Sequence, residues 1–261
     1  MITSTANPHV KYLRSLRDSA KDRRNERLCL LEGVRLISHA LACGASLGLV
    51  LYAPSQLATT PEGATLLTML EGQPHCYPAQ PHVIAAATDT KRSQGVVATV
   101  AWPELEPRPG MRLVLDGVQD PGNVGTLLRS AEAAGVGLVI AAPGTADLYS
   151  PKVLRAAMGA HFSLPVLPEA DWDSIRFELS ASPLVYAADA EAHMPYYAAD
   201  WRQPAALLIG SEAHGVSEDG LALATHRISI PMLGRAESLN AAVAGSIMVF
   251  EALRQRTRGR T

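Results

Sequence analysis

Apolar residues along this chain fall into short unbroken runs separated by stretches with helical spacing. In the first hundred residues "LCLLEG" (28–33), "LGLVLYA" (47–53) and "GVVATVAW" (95–102) predict buried strands. Between them, "VRLISHALACG" (34–44) repeats its apolar positions at helical intervals and ends on Gly44. "PEGATLLTML" (61–70) opens on proline, so both segments predict helices. "PELEPRPG" (103–110) carries three prolines and a glycine, which suit neither a helix interior nor a central strand. The pattern therefore predicts a small α/β domain over 1–102, a linker over 103–110 and a second domain over 111–261.

The second half restarts the alternation. "RLVLDG" (112–117), "VGLVIAA" (136–142), "LVYAAD" (184–189), "AALLIG" (205–210) and "RISIPM" (227–232) predict strands. "NVGTLLRSAEAAG" (123–135), "SPKVLRAAMGA" (150–160), "DWDSIRFEL" (171–179) and a long segment over about 238–255 predict helices. Such alternation implies a doubly wound α/β fold with a parallel sheet, whose ligand sits outside the carboxyl ends of the strands.

Composition narrows the class. A length of 261 residues, 48% hydrophobic and 5% aromatic, matches an ordinary globular α/β protein. Cys29, Cys43 and Cys76 stand singly, which disfavours a disulfide framework and a thiolate metal site. The N-terminus lacks a signal-type apolar stretch, and the most apolar helix candidate, 239–253, is too short to span a bilayer and contains Glu251. A cytoplasmic protein without a membrane partner is expected.

The net charge of −2 hides a local asymmetry. Lys11, Arg14, Arg17, Lys21, Arg23, Arg24, Arg27 and Arg35 face only Asp18, Asp22, Glu26 and Glu32, and Arg254, Arg256, Arg258 and Arg260 follow near the C-terminus. One reading is a solvated helix with its partner charges; the other is a surface that tracks nucleic-acid phosphates.

"DPGNVGTLLR" (120–129) occupies the place of a phosphate loop, between a strand and a helix. It lacks the Walker lysine, and the strand that follows ends without the acidic residue of a dinucleotide site. No strand-to-helix serine elbow and no zinc-binding His-Glu-x-x-His is found, and the histidines, His161 and His214 included, show no ligand spacing. Two further glycine-rich segments follow strands: "LLIGSEAHGVSEDG" (207–220), with Gly210 and Glu212, and "ISIPMLGRAESLNAAVAGS" (228–246), with Ser238 or Asn240 heading the last helix. Pro231 ends strand pairing there and frees backbone groups for a ligand.

Together, "DGVQDPGNVGTLLRSAEAAG", "LIGSEAHGVS" and "ISIPMLGRAESLNAAVA" resemble, in order, the three motifs of the SpoU/TrmH branch of the SPOUT RNA 2′-O-ribose methyltransferases. "CLLEGVRLISHAL" resembles, less sharply, part of the L30e-like substrate-binding domain of ribosomal-RNA members. Ala213, His214 and Ala157 depart from residues common in the family, which bears on substrate detail.

The resemblance implies a SPOUT catalytic domain with a C-terminal trefoil knot and S-adenosylmethionine held in bent form by the knot loops. By position, the cofactor contacts are Gly210, Ile230 and Leu239, with Met232 and Ser238 close by. The catalytic set is Asn123, Arg129, Glu212, Ser238 and Asn240. A guanidinium keeps its proton at neutral pH, so Arg129 is expected to hold the target phosphate while phosphate, water or Glu212 takes the hydroxyl proton. No metal is expected.

Lys11, Arg14, Arg17, Arg23, Arg24 and Arg35 are the expected RNA contacts. The expected substrate is ribosomal RNA; transfer RNA, or a non-catalytic RNA-binding SPOUT protein, are the alternatives. A homodimer through the catalytic domain is also expected, the small residues Ala241, Ala242, Ala244, Gly245 and Ser246 admitting close approach.

Overall fold

A computed structural model describes residues 1–90 and 92–258, without the Arg258 side chain; Arg260, one of the basic residues noted above, lies outside the described residues. The chain forms two units: Met1–Pro103 together with Tyr149–Phe162, and Glu104–Leu148 together with the chain from Ser163 onward.

In the first unit, strands β1 (Leu28–Glu32), β2 (Leu47–Tyr52), β3 (Cys76–Pro78) and β4 (Val96–Ala101) form a sheet of order β1-β4-β2-β3. β4 runs antiparallel to both neighbours, and β2 pairs with β3 in parallel. Helices α1 (Pro8–Asp18), α2 (Ala20–Glu26), α3 (Val34–Ala42), α4 (Pro54–Leu57), α5 (Pro61–Leu70) and α6 (Pro81–Ala87) complete it. α1 starts where Asn7 caps His9 and Pro8 fixes the first turn, and it buries Val10, Leu13 and Leu16. Val10 and Leu13 meet Leu30, Leu51, Val83, Ile84 and Val97 in one core.

Three of the arginines expected on RNA are engaged inside this unit. Arg23 is only 4% exposed and donates to the carbonyls of Leu16 (2.6 Å) and Arg17 (2.9 Å), capping the end of α1. Arg14 donates to Ala86 O at 2.8 Å, and Arg17 to Ala86 O, Thr88 O and the Asp18 carboxylate. A helix end leaves carbonyls without intrahelical partners, and guanidinium groups satisfy them here. Arg23 is thus a structural residue, not a phosphate contact. Lys11, Arg24 and Arg35 are exposed.

Helix α8 (Pro151–Ala156), expected in the second domain, groups with the first unit. Its Arg155 meets Glu32 and Asp89, and no local sequence signal carries that information. Residues 44–48 spell Gly-x-Ser-x-Gly but run from α3 into β2, the reverse of a nucleophile elbow, so Ser46 is not presented as one.

The second unit holds a seven-stranded sheet, all of whose neighbours pair in parallel. Its strands are β5 (Arg112–Asp116), β6 (Leu138–Ala141), β7 (Val166–Leu167), β8 (Leu184–Ala188), β9 (Met194–Pro195), β10 (Ala205–Gly210) and β11 (His226–Ser229), in the order β7-β6-β5-β10-β8-β11-β9. Helices α7 (Pro121–Ala133), α9 (Trp172–Leu179), α10 (Glu218–Leu223) and α11 (Ala241–Arg258) connect or follow them. Val114, Ile140, Ala187 and Leu208 pack with Ile175 and Leu179 of α9. From β5 the chain first builds outward through β6 and β7, then returns to lay β10 against β5. The order therefore switches at the β5–β10 seam, where Asp116 pairs with Gly210 at the carboxyl ends.

The small-residue face of α11 is used within the chain. A Cβ on Gly245 would lie 2.5 Å from Leu127 Cδ2, and Ser246 Oγ shares a 2.8 Å hydrogen bond with Ser130. Small residues let α11 seat closely on α7 and β10, so Ala242, Gly245 and Ser246 do not form a surface for a second molecule. The large apolar residues that α11 exposes are Val243 and Phe250.

Candidate functional site

The segment "DPGN" builds a helix start. The Asp120 carboxylate accepts from Asn123 N at 2.9 Å, and Pro121 occupies the first turn, where no backbone donor is needed. A Cβ on Gly122 would lie 2.8 Å from that carboxylate. The cap leaves the Asn123 side chain available for longer-range bonds.

At the end of β10 the chain folds into a tight turn. Ser211 and Gly215 exchange two backbone hydrogen bonds of 2.9 Å, and Gly215 has a φ of +67°. A Cβ on Gly210 would lie 1.9 Å from the carbonyl carbon of Gly215, so only glycine admits this closure. The turn is anchored beyond by the buried Asp116, which accepts from Ser217 N at 2.7 Å.

The third segment reaches α11 through Asn240. Its Oδ1 accepts from Ala242 N (3.0 Å) and Val243 N (3.2 Å), which makes Asn240, rather than Ser238, the cap. Its Nδ2 donates to Asn123 Oδ1 at 2.9 Å, and Asn123 Nδ2 donates to Glu212 Oε1. Three segments far apart in sequence thus meet through three side chains.

The second and third segments, with the chain that follows β8, line a cavity of about 720 Å³ at the carboxyl ends of β8, β10 and β11. Gly210, Ile230, Met232, Ser238 and Leu239, the five residues expected to hold a cofactor, all line it. Of the expected catalytic set, Glu212, Ser238 and Asn240 line it, and Asn123 is bonded to two of these. Arg129 does not line it: it is exposed two turns along α7, without a hydrogen bond or ion pair to the described residues. His214 lies at the cavity, with its N–H on Ser211 Oγ, whereas His161 is fully buried against Tyr149 in the first unit.

Sequence reasoning missed an acidic and basic group on the cavity wall. Asp189 follows β8, accepts from Glu191 N at 2.9 Å and pairs with Arg227 at 3.4 Å. The strand "LVYAAD" ends on that aspartate, so the strand-end rule that singled out Gly210 could have found it.

The wall mixes apolar side chains with the carboxylates of Asp189, Glu191, Glu212 and Glu237. Its volume suits a nucleoside-sized ligand, the strand ends offer backbone groups to a base, and the carboxylates suit a cationic one. Residues 110–250 match the SpoU rRNA Methylase family, and residues 7–98 match the MRM3-like substrate binding domain.

The chain belongs to the SpoU rRNA methylase family.

This family member is 34% identical to the 23S rRNA (guanosine(2553)-2′-O)-methyltransferase RlmP of Bacillus subtilis, over 95% of this chain and 97% of that protein. It is 32% identical to human mitochondrial rRNA methyltransferase 3, over 88% of this chain and 68% of that one. The SpoU methyltransferase AviRb of Streptomyces viridochromogenes, solved in complex with AdoMet, superposes with a TM-score of 0.86. That match has 29% identity and covers 96% of this chain and 98% of AviRb.

Proposed function

We propose that this SpoU family member transfers a methyl group from S-adenosylmethionine to the 2′-hydroxyl of a ribose in structured RNA, with ribosomal RNA as its substrate. The observation that carries this reading is the Asn240–Asn123–Glu212 chain of hydrogen bonds beside the cavity that all five expected cofactor residues line. The names of the relatives, two of them ribosomal-RNA methyltransferases, support the substrate class.

When bound, S-adenosylmethionine supplies a methyl group on a sulfonium sulfur. Gly210, Ile230 and Leu239 would hold its adenosine part by backbone groups, with Met232 and Ser238 beside it, and the acidic wall suits its positive charge. Arg129 binds the phosphate next to the target ribose and stabilises charge developing on the 2′-oxygen.

Because Arg129 lies outside its own chain's cavity, the reading includes a homodimer in which each copy brings Arg129 to its partner's site. Val243 and Phe250, 47% and 45% exposed on α11, support a contact through the catalytic unit. Lys11, Arg24 and Arg35 are the phosphate contacts proposed for the first unit. A knotted path and action in the cytoplasm belong to the same proposal. The knot is supported by the turn after β10 and the segment between β11 and α11 walling one cavity. No described helix is long and apolar enough to cross a membrane.

The test is transfer of labelled methyl to purified ribosomal and transfer RNA in parallel, followed by alkaline hydrolysis. A 2′-O-methylated dinucleotide that resists alkali, from ribosomal RNA, is expected. Label in transfer RNA alone would replace the substrate, and label in neither would remove the activity. Sedimentation of an active 27.7 kDa species would remove the dimer.

A further inference from the structure

The hydrogen bonds at the site have a direction, and the last helix sets it. Asn240 Oδ1 is taken by two backbone N–H groups of α11, so its Nδ2 must be the end that faces Asn123. Asn123 can meet an N–H donor only with its own Oδ1, which turns its Nδ2 toward Glu212. An amide is free to flip when its surroundings are neutral; here each orientation is dictated by the one before it. The sequence of donors starts at a helix N-terminus, whose dipole favours acceptors, and ends on a carboxylate.

Glu212 is consequently engaged at Oε1 by a donor and presents Oε2, which receives no hydrogen bond from the described residues. The other ionisable groups on the cavity wall are Asp189, Glu191, His214, Arg227 and Glu237. Asp189 is paired with Arg227, and Glu212 is the carboxylate tied to the motif amides.

We infer that Asn240 and Asn123 are positioning residues that hold Glu212 as the acceptor of the target hydroxyl's proton. The inference rests on the methyltransferase reading and narrows its three candidate acceptors to one. In the reaction the ribose oxygen forms a bond to the methyl carbon, the sulfur–methyl bond breaks, and its electron pair stays on the departing thioether. The hydroxyl proton goes to Glu212 Oε2, from which water removes it. Holding an acceptor in place is worth rate because small misplacements of a reacting group cost roughly 100-fold.

The experiment uses the full-length protein with labelled S-adenosylmethionine and the RNA that the wild type methylates. Asn240→Ser keeps the cap and is too short to reach Asn123. It is expected to lower kcat by about 100-fold while cofactor affinity by calorimetry and the thermal midpoint stay near wild type. Glu212→Gln is expected to lose kcat by at least as much.

The decisive variant combines Asn240→Asp with Glu212→Gln. The amide introduced by the second change becomes the donor, and the carboxylate introduced by the first becomes the final acceptor. Once the Asn123 amide flips, the two side-chain hydrogen bonds are restored in the opposite direction, and the backbone N–H groups of α11 still donate to the cap. Normal folding without recovery of kcat is the expected result. Recovery of kcat in that double variant would show that only connectivity matters, and it would overturn the inference. Wild-type kcat in Asn240→Ser or in Glu212→Gln would do the same. If the wild type itself methylates no RNA, the functional reading fails; wild-type transfer with unaffected variants removes only the role of Glu212.

Discussion

Arg155 donates from Nη1 to the Glu32 carboxylate at 3.2 Å, joining residues 123 positions apart within one folded unit. Glu32 is 2% exposed in its side chain and also accepts from Asp89 N at 2.9 Å, while the other arm of Arg155 reaches the Asp89 carboxylate at 2.8 Å. A buried carboxylate deprived of its cation is costly, so Arg155→Ala should destabilise the first unit by about 3 kcal/mol. Urea unfolding checks this. The same carboxylate predicts that a fragment ending at residue 103 is less stable than the intact unit, and that Glu32→Gln recovers part of the loss in the fragment.

Arg129→Ala should reduce methyl transfer by about 10² to 10³ in rate and leave cofactor affinity unchanged. The second half of this expectation follows from assigning the guanidinium to the RNA phosphate, in its own chain's site or its partner's, and not to the cofactor. Calorimetry with S-adenosylmethionine, alongside single-turnover assays, separates the two. Loss of cofactor binding in a folded variant would place the guanidinium in the wrong role.

The basic run should divide into two classes. Gln substitutions at Lys11, Arg24 and Arg35 should flatten the salt dependence of RNA binding by roughly 0.7 to 0.9 in log–log slope for each true contact, with folding intact. Arg23→Gln should instead lower the unfolding midpoint, because the carbonyls of Leu16 and Arg17 lose their donor. A salt titration of each variant, beside its melting curve, tests the division.

Gly210→Ala should abolish cofactor binding. The added methyl would collide with the backbone of Gly215 and Val216, at 1.9 and 2.1 Å, and neither can yield as a flexible side chain does. Calorimetry on the folded variant should show no heat of binding. Retained affinity would mean that the turn after β10 is not part of the cofactor's wall.

Tyr12 donates to the Glu26 carboxylate, tying α1 to α2. Burial, the hydrogen bond to Glu26 and that residue's charge push the Tyr12 phenol up to about 12, from an ordinary value of 10.0. The phenol is raised in the folded state, so its stabilisation is complete below pH 10 and disappears as the pH rises through about 12. Urea unfolding between pH 9 and 12 should show this alkaline loss in the wild type and a smaller one in Tyr12→Phe.

Period and punctuation made much of the second unit legible. β5, β6, β8 and β10 carry unbroken apolar runs that predict them, and β11 is predicted from the alternation in "RISIPM" although its first two residues are polar and exposed. β7 and β9 are two-residue edges, too short for any pattern to announce. In the first unit α1 and α2 were obscured by a charge run whose arginines turn inward to helix ends. The start of α1 was nonetheless written in Asn7-Pro8. The cavity wall was legible because its residues stand where strands stop. The bonds of Asn123 to Glu212 and Asn240 span 89 and 117 residues, and no local pattern carries such distances.

The seating of α11 has a temporal consequence. Every strand of the parallel sheet precedes it in the chain, yet Asn240 and Met248, which line the cavity, lie at its head and within its length. A nascent chain can therefore complete the sheet and still lack one wall of the site. On the proposed cofactor site, competence to bind cofactor is expected only once this helix docks, so a molecule acquires it after its synthesis has passed residues 240–258.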